Sequence, residues 1–275
     1  PRSRAPSHAD VAPHHASGGA GAPRETTLQI PSGGKMLPAT LYHAAGTGPH
    51  PTVAWFHGFP GLPRPTPATI ARLRDSGVNV LYVHYRGSWG ASGTFSAAHA
   101  LEDASAVLAF LRDSGFAAAN RIDPARVIPV GDSFGSWVAL MTTAADSLSP
   151  CVAAALVTNL GQLGTAFATD TALRAGFTQV FAAVASDTAL GYRFTRGPDR
   201  FMDDIIAARA RNDLVTLANA LRDRPVLLIG AERDEVAPPA EHLAPLSRAL
   251  EAAGGTKVTQ RMFPGGHELA VGTYA

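Results

Sequence analysis

From Thr26 the chain alternates apolar and polar positions. "TTLQI" (26–30) and "MLPATLYH" (36–43) have the two-residue period of half-buried strands, and "PSGG" (31–34) supplies turn residues between them. An antiparallel hairpin is predicted. After it, short apolar runs alternate with helical patterns. "TVAWF" (52–56), "VNVLYVHY" (78–85), "RVIPV" (126–130), "VAAALVT" (152–158), "PVLLIG" (225–230) and "KVTQRMF" (257–263) read as strands. "ATIARLRDSG" (68–77), residues 96–114, 134–145 and 239–255 read as helices; in the second, Leu101, Ala104, Leu108 and Leu111 share a face. Strands alternating with helices imply a mostly parallel α/β sheet covered on both faces.

Two stretches break this rhythm. Between Thr158 and Pro225 lie 66 residues of mainly helical pattern, far more than a crossover needs. Residues 159–221 are expected to form a helical cap insertion over the carboxyl edge of the sheet, where open α/β folds bind ligands. Residues 1–24 are rich in Pro, Ala, Gly and His without periodicity, and a disordered leader is expected there. The rest, 25–275, is expected to be one domain.

The strand at 126–130 runs into "GDSFG" (131–135), and a helix follows at once. G-x-S-x-G between strand and helix is a turn that holds a serine in a strained, exposed position, with small residues on each side to let the elements approach. Ser133 is therefore the candidate nucleophile. Asp132 beside it is expected to make a hydrogen bond within the turn.

A serine hydroxyl needs a general base, and the base needs an orienting acid. Of ten histidines, His8, His14 and His15 fall in the leader, where a solvated tail is expected rather than a metal site. His43 and His50 lie near the first hairpin, His84 ends a strand, His99 is on a helix and His242 starts one. His267, in "FPGGHE" after the last strand, is the candidate base. "LLIGAERDEVAPP" offers Glu232, Asp234 and Glu235 in one loop; Asp234 is chosen, four residues past Gly230. Transition-state charge needs donors as well. The amide of Phe134 is one candidate. The other is the amide of Phe59 in "WFHGFPG" (55–61), where His57 is read as organising the loop.

These motifs resemble the α/β-hydrolase family: "HGFPG" (57–61), "GDSFG", Asp234 and His267 occur in the family's order. The resemblance covers residues 26–270. "YRGSWGASG" (85–93) and "RIDPARVIPVGDSFGSW" (121–137) are similar to dienelactone-hydrolase-like and prolyl-oligopeptidase-like catalytic domains. It implies an eight-stranded, mostly parallel sheet, a cap after the sixth strand, no cofactor, and a serine esterase with a Ser-His-Asp triad. Peptidase-like members carry a second glycine after the serine, where this chain has Ser136. The expected alternatives are a peptidase or arylamidase on short peptides, and a non-catalytic ligand-binding protein. With the chain ending eight residues past His267, the last helix is expected to be short or absent.

Remaining candidates are weaker. Arg86 and Trp89 are placed in a loop at the carboxyl edge, either to bind an acyl or carboxylate group or to pack the loop. Phe167, Phe177 and Phe181 are placed in the cap as pocket or core. "RFTRGPDR" (193–200) and Asp103 are expected at the surface.

Composition narrows the classes. The chain has 275 residues, 46% of them hydrophobic, enough for one large core. Its 23 basic and 22 acidic residues give +1, no footprint for nucleic acid. One cysteine, Cys151, excludes an intrachain disulfide and a cysteine-based metal site, and is expected to be buried. No run reaches the ~18 apolar residues of a membrane span. A small-molecule ester or short peptide is the expected partner; oligomeric state stays open. The compartment stays open between cytoplasmic and, if the leader follows a removed signal peptide, secreted or periplasmic. Scarce lysine beside abundant alanine and arginine fits a GC-rich bacterial gene.

Overall fold

The computed structural model describes residues 24–268. The expectations for residues 1–23 and for the end of the chain lie outside the described residues. Eight strands form one sheet: β1 (Glu25–Ser32), β2 (Lys35–Tyr42), β3 (His50–Phe56), β4 (Asn79–Val83), β5 (Ile122–Asp132), β6 (Val152–Ala155), β7 (Val226–Ala231) and β8 (Val258–Phe263). Their spatial order is β1-β2-β4-β3-β5-β6-β7-β8. The β1–β2 and β2–β4 pairs are antiparallel, and every pair from β4–β3 to β7–β8 is parallel.

Side-chain alternation sorts the strands between two cores. Ala54, Phe56, Leu81, Val83 and Val127 face the main cluster, which α2 (Ala97–Arg112) and α4 (Phe134–Ala145) cover over β3 and β5 and α9 (Leu243–Ala252) covers over β7 and β8. Val53, Val80 and Tyr82 face the other way, under α1 (Pro67–Asp75). The short α3 (Ser114–Ala119) leads into β5.

Between β6 and β7 the chain builds α5 (Leu160–Thr169), α6 (Thr171–Ser186), α7 (Pro198–Ala207), a 3₁₀ turn (Leu214–Leu217) and α8 (Ala218–Leu221). The strand order reverses between β3 and β5, which pair with Phe56 opposite Gly131. This register sets the loop after β3 beside the turn after β5, at the switch point where ligands bind in such sheets.

Two expected boundaries and one expected burial differ. β6 stops at Ala155 because Leu156 adopts φ +50°, outside the strand region. α9 starts at Leu243 instead of 239: the Pro238 carbonyl takes the amides of Glu241 and His242, a turn that precedes the helix. Cys151, expected to be buried, is half-buried.

Candidate active site

β5 leads into α4 through a single turn. Ser133 is the N-cap of α4, with φ 52° and ψ −123°. A side chain at Gly131 would begin 1.9 Å from the Gly135 carbonyl oxygen, and one at Gly135 would begin 1.9 Å from the Phe56 carbonyl oxygen. Both positions require glycine for close approach. The Ser133 amide is used by Ala155 of β6 at 2.9 Å, which locks the strained residue in place.

Ser133 Oγ lies 2.8 Å from His267 Nε2. His267 Nδ1 lies 2.9 and 2.8 Å from the two carboxylate oxygens of Asp234. Since Asp234 accepts at Nδ1, that nitrogen holds the ring proton and leaves Nε2 bare toward the serine. Asp234 is buried, and its Oδ1 also accepts the amides of Val236 (3.0 Å) and Ala237 (2.8 Å). Burial pushes the Asp234 carboxyl up, but the bonds from His267 and these amides outweigh it and hold the group below its usual value. Glu232 and Glu235, the alternatives in the same loop, are exposed.

The loop after β3 is pinned at four carbonyls and one amide. Tyr85 Oη donates to the His57 carbonyl (3.1 Å), His57 Nδ1 to the Gly58 carbonyl (2.6 Å) and Tyr82 Oη to the Leu62 carbonyl (2.7 Å). The Pro60 carbonyl accepts from Trp89 Nε1 (2.8 Å) and Tyr192 Oη (3.0 Å). The Gly58 amide donates to Asp132 Oδ2 at 3.1 Å. Among the described residues, the amides of Phe59 and Phe134 donate to no protein group. Phe134 adjoins the strained Ser133, and Phe59 follows Gly58, where a side chain would begin 3.1 Å from Ser133 Cβ, so two amides without protein partners in this neighbourhood suit an anionic oxygen. The start of α4 adds the positive end of its dipole.

Other candidates fall elsewhere. His57 is buried among Tyr82, His84 and Tyr85, and burial, then His84, lower it to about 3; it stays neutral and supports the loop. Arg86 does not bind a carboxylate ligand: its guanidinium is taken by Asp103 (2.7 Å) and Glu102 (2.8 Å). Asp103, expected at the surface, is 2% exposed, because α2 presents it inward to this arginine. Trp89 packs the loop through Pro60. Phe167 is core; Phe177 packs on Phe167 and Phe181, and Phe181 meets Phe59 edge-on at 5.0 Å. In 193–200 the arginines are exposed, as expected, while Phe194 is buried.

Asp132 is a correction. Its hydrogen bonds to other residues leave the turn: Oδ1 accepts Trp55 Nε1 at 2.8 Å and Oδ2 accepts the Gly58 amide. Ser136 is also more than a missing glycine: its Oγ donates to the Ser133 carbonyl (2.6 Å) and accepts the Thr158 amide (3.0 Å). His242, expected only to start a helix, is a neighbour of the site. Its Nδ1 accepts the Asn159 amide, and it feels the charges of Asp234 and His267. Among the described residues, no group of three or more His, Cys, Asp or Glu is arranged for a metal, and no helix is long and apolar enough to cross a membrane.

No protein-family model and no curated protein matches the sequence. Solved structures do. The acetyl xylan esterase of Paenibacillus sp. R4 superposes with a TM-score of 0.64 at 14% identity, covering 94% of this chain and 83% of that one. An esterase of Pyrococcus furiosus gives 0.62 at 15%, covering 90% and 86%. The acylaminoacyl peptidase of Pyrococcus horikoshii gives 0.60 at 16%, covering 90% of this chain and 38% of that one. The chain has the α/β-hydrolase fold.

Proposed function

We propose that the protein is a serine hydrolase that cleaves carboxylic esters through an acyl-serine. The observation behind this reading is the hydrogen-bonded row Ser133–His267–Asp234 beside two unpartnered amides. As Ser133 Oγ attacks the ester carbon, its proton passes to His267 Nε2. The carbonyl electron pair moves onto oxygen, where the amides of Phe59 and Phe134 donate to it. Asp234 orients the ring and stabilises its cation. The C–O bond to the alcohol then breaks, and His267 returns the proton to the leaving oxygen. A water gives a proton to His267 and attacks the acyl carbon; Ser133 Oγ leaves, recovers that proton, and the acid departs.

Residues 159–221 act as a cap, with Phe177 and Phe181 toward the acyl side. Replacing Ser133 by alanine removes turnover of short p-nitrophenyl esters and labelling by a fluorophosphonate. Undiminished turnover in that variant sinks the assignment.

A second reading, cleavage of short peptides or arylamides, is supported by the likeness to the acylaminoacyl peptidase. Arylamides hydrolysed faster than esters of equal acyl length favour it. No labelling of the wild type by any fluorophosphonate favours a ligand-binding protein instead.

A further inference from the structure

The steps above leave one acidic neighbour of the nucleophile without a task. The Asp132 side chain bridges two adjacent strands: β5 carries it, and β3 supplies Trp55, whose indole N–H binds Oδ1 at 2.8 Å. Its other oxygen holds the Gly58 amide at 3.1 Å. Gly58 touches both halves of the site, since a side chain there would begin 3.0 Å from Asp132 Oδ2 and 3.1 Å from Ser133 Cβ. The next amide in the chain is that of Phe59. Peptide units are rigid planes, so two soft dihedrals separate a fixed Gly58 N–H from the Phe59 N–H. The remaining pins on this loop are at carbonyls, of His57, Gly58, Pro60 and Leu62. Among the described residues, Asp132 is the side chain that holds an amide of this loop, and that amide is next to the one of Phe59.

We propose that Asp132 is a positioning residue: by clamping the Gly58 amide with one oxygen while Trp55 steadies the other, it turns the Phe59 amide toward the developing oxyanion. The proposal rests on the serine-hydrolase reading. Its consequence is specific to the transition state. A loosened Phe59 amide leaves substrate binding largely intact and weakens stabilisation of the tetrahedral oxygen.

Asp132→Asn tests it, because asparagine is nearly isosteric but offers one acceptor oxygen to two donors. Loss of a whole oxyanion donor costs about 10²–10³ in kcat, and loosening one is expected to cost roughly tenfold to a hundredfold. KM for p-nitrophenyl acetate should change little. Affinity for a boronic acid, which forms a tetrahedral adduct at Ser133, should fall in step with kcat/KM. Trp55→Phe keeps the Gly58 bond and should lose much less. Unchanged kcat in Asp132→Asn overturns the proposal. So does a loss that only tracks the folded fraction measured by thermal unfolding, or a greater loss in Trp55→Phe than in Asp132→Asn, since Trp55 acts only through Asp132. Wild type that neither reacts with a fluorophosphonate nor turns over esters overturns the hydrolase reading itself; wild-type labelling with full Asp132→Asn activity overturns only the clamp.

Discussion

A methyl group on Gly135 would start 1.9 Å from the Phe56 carbonyl oxygen, an atom of the sheet backbone that cannot rotate away. Gly135→Ala must therefore push α4 from β3. Overpacking of this kind costs about 3 kcal/mol, the upper part of its usual range. Denaturant midpoints should show the loss, with activity falling further than stability because Ser133 and the Phe59 loop move apart; a midpoint equal to wild type would refute the close contact. The same residues explain what a linear reading reaches. Gly131, Ser133 and Gly135 are legible because their constraint is local: one turn, one strained serine, no room on either side. Asp234 is legible against Glu232 and Glu235 only through its place in the loop. Asp132 is not legible. Its donor Trp55 is 77 positions away in sequence, and nothing in "GDSFG" shows that the side chain turns back to the neighbouring strand. Asp103 fails for a related reason: its charge suggests solvent, whereas it is buried because Arg86 neutralises it.

At the scale of elements, alternation marks the first hairpin and short apolar runs mark the inner strands, because β1 and β2 are buried mainly on one face whereas β3, β4 and β6 are covered on both. Strand ends are less legible, since Leu156 leaves the strand through a backbone angle that its residue type does not announce. The insertion is legible as an excess of helical chain but not in how it is tied down. Its segment 190–195 is hydrogen-bonded along the loop after β4: the Leu190 carbonyl takes the Trp89 amide (2.7 Å), the Gly87 carbonyl takes the Arg193 amide (2.8 Å), and Phe95 exchanges bonds with Arg193 and Thr195. Phe181, Tyr192, Phe194 and Phe201 close over Phe59 from the same side. By contrast, α6 buries only Phe181 and Val184. Local stability follows buried contact. Amide exchange should be slow at Phe95, Arg193 and Thr195 and much faster along α6, so that α6 opens while 190–195 stays. Equal protection of the two would mean that the insertion moves as one body.

For the whole molecule, acid stability is governed by histidines folded away as neutral rings. Burial lowers His43, His84 and His242 to about 4 each and His57 to about 3; the guanidinium groups of Arg24, Arg121 and Arg74 add to it at His43. Unfolded, each would titrate near its usual value of about 6.5. Above that pH neither state binds the proton and these groups leave stability unchanged. Below it the unfolded chain takes up protons that the folded chain refuses, so folding weakens as pH falls from about 6.5 toward about 4, and the added loss ends once the folded rings also protonate. Up to four extra protons contribute, which makes the slope steep. Asp234, held below its usual value, adds its own loss only at lower pH. Urea midpoints should be flat above pH 7 and drop sharply across that window. His43→Gln, at a ring bonded to Thr26 and unconnected to Ser133, His267 or Asp234, should flatten the drop by close to one proton. A midpoint that stays level between pH 6.5 and 4 would mean that these rings are protonated in the folded chain, and with them that His57 is no longer the neutral donor that holds the Gly58 carbonyl beside the proposed oxyanion site.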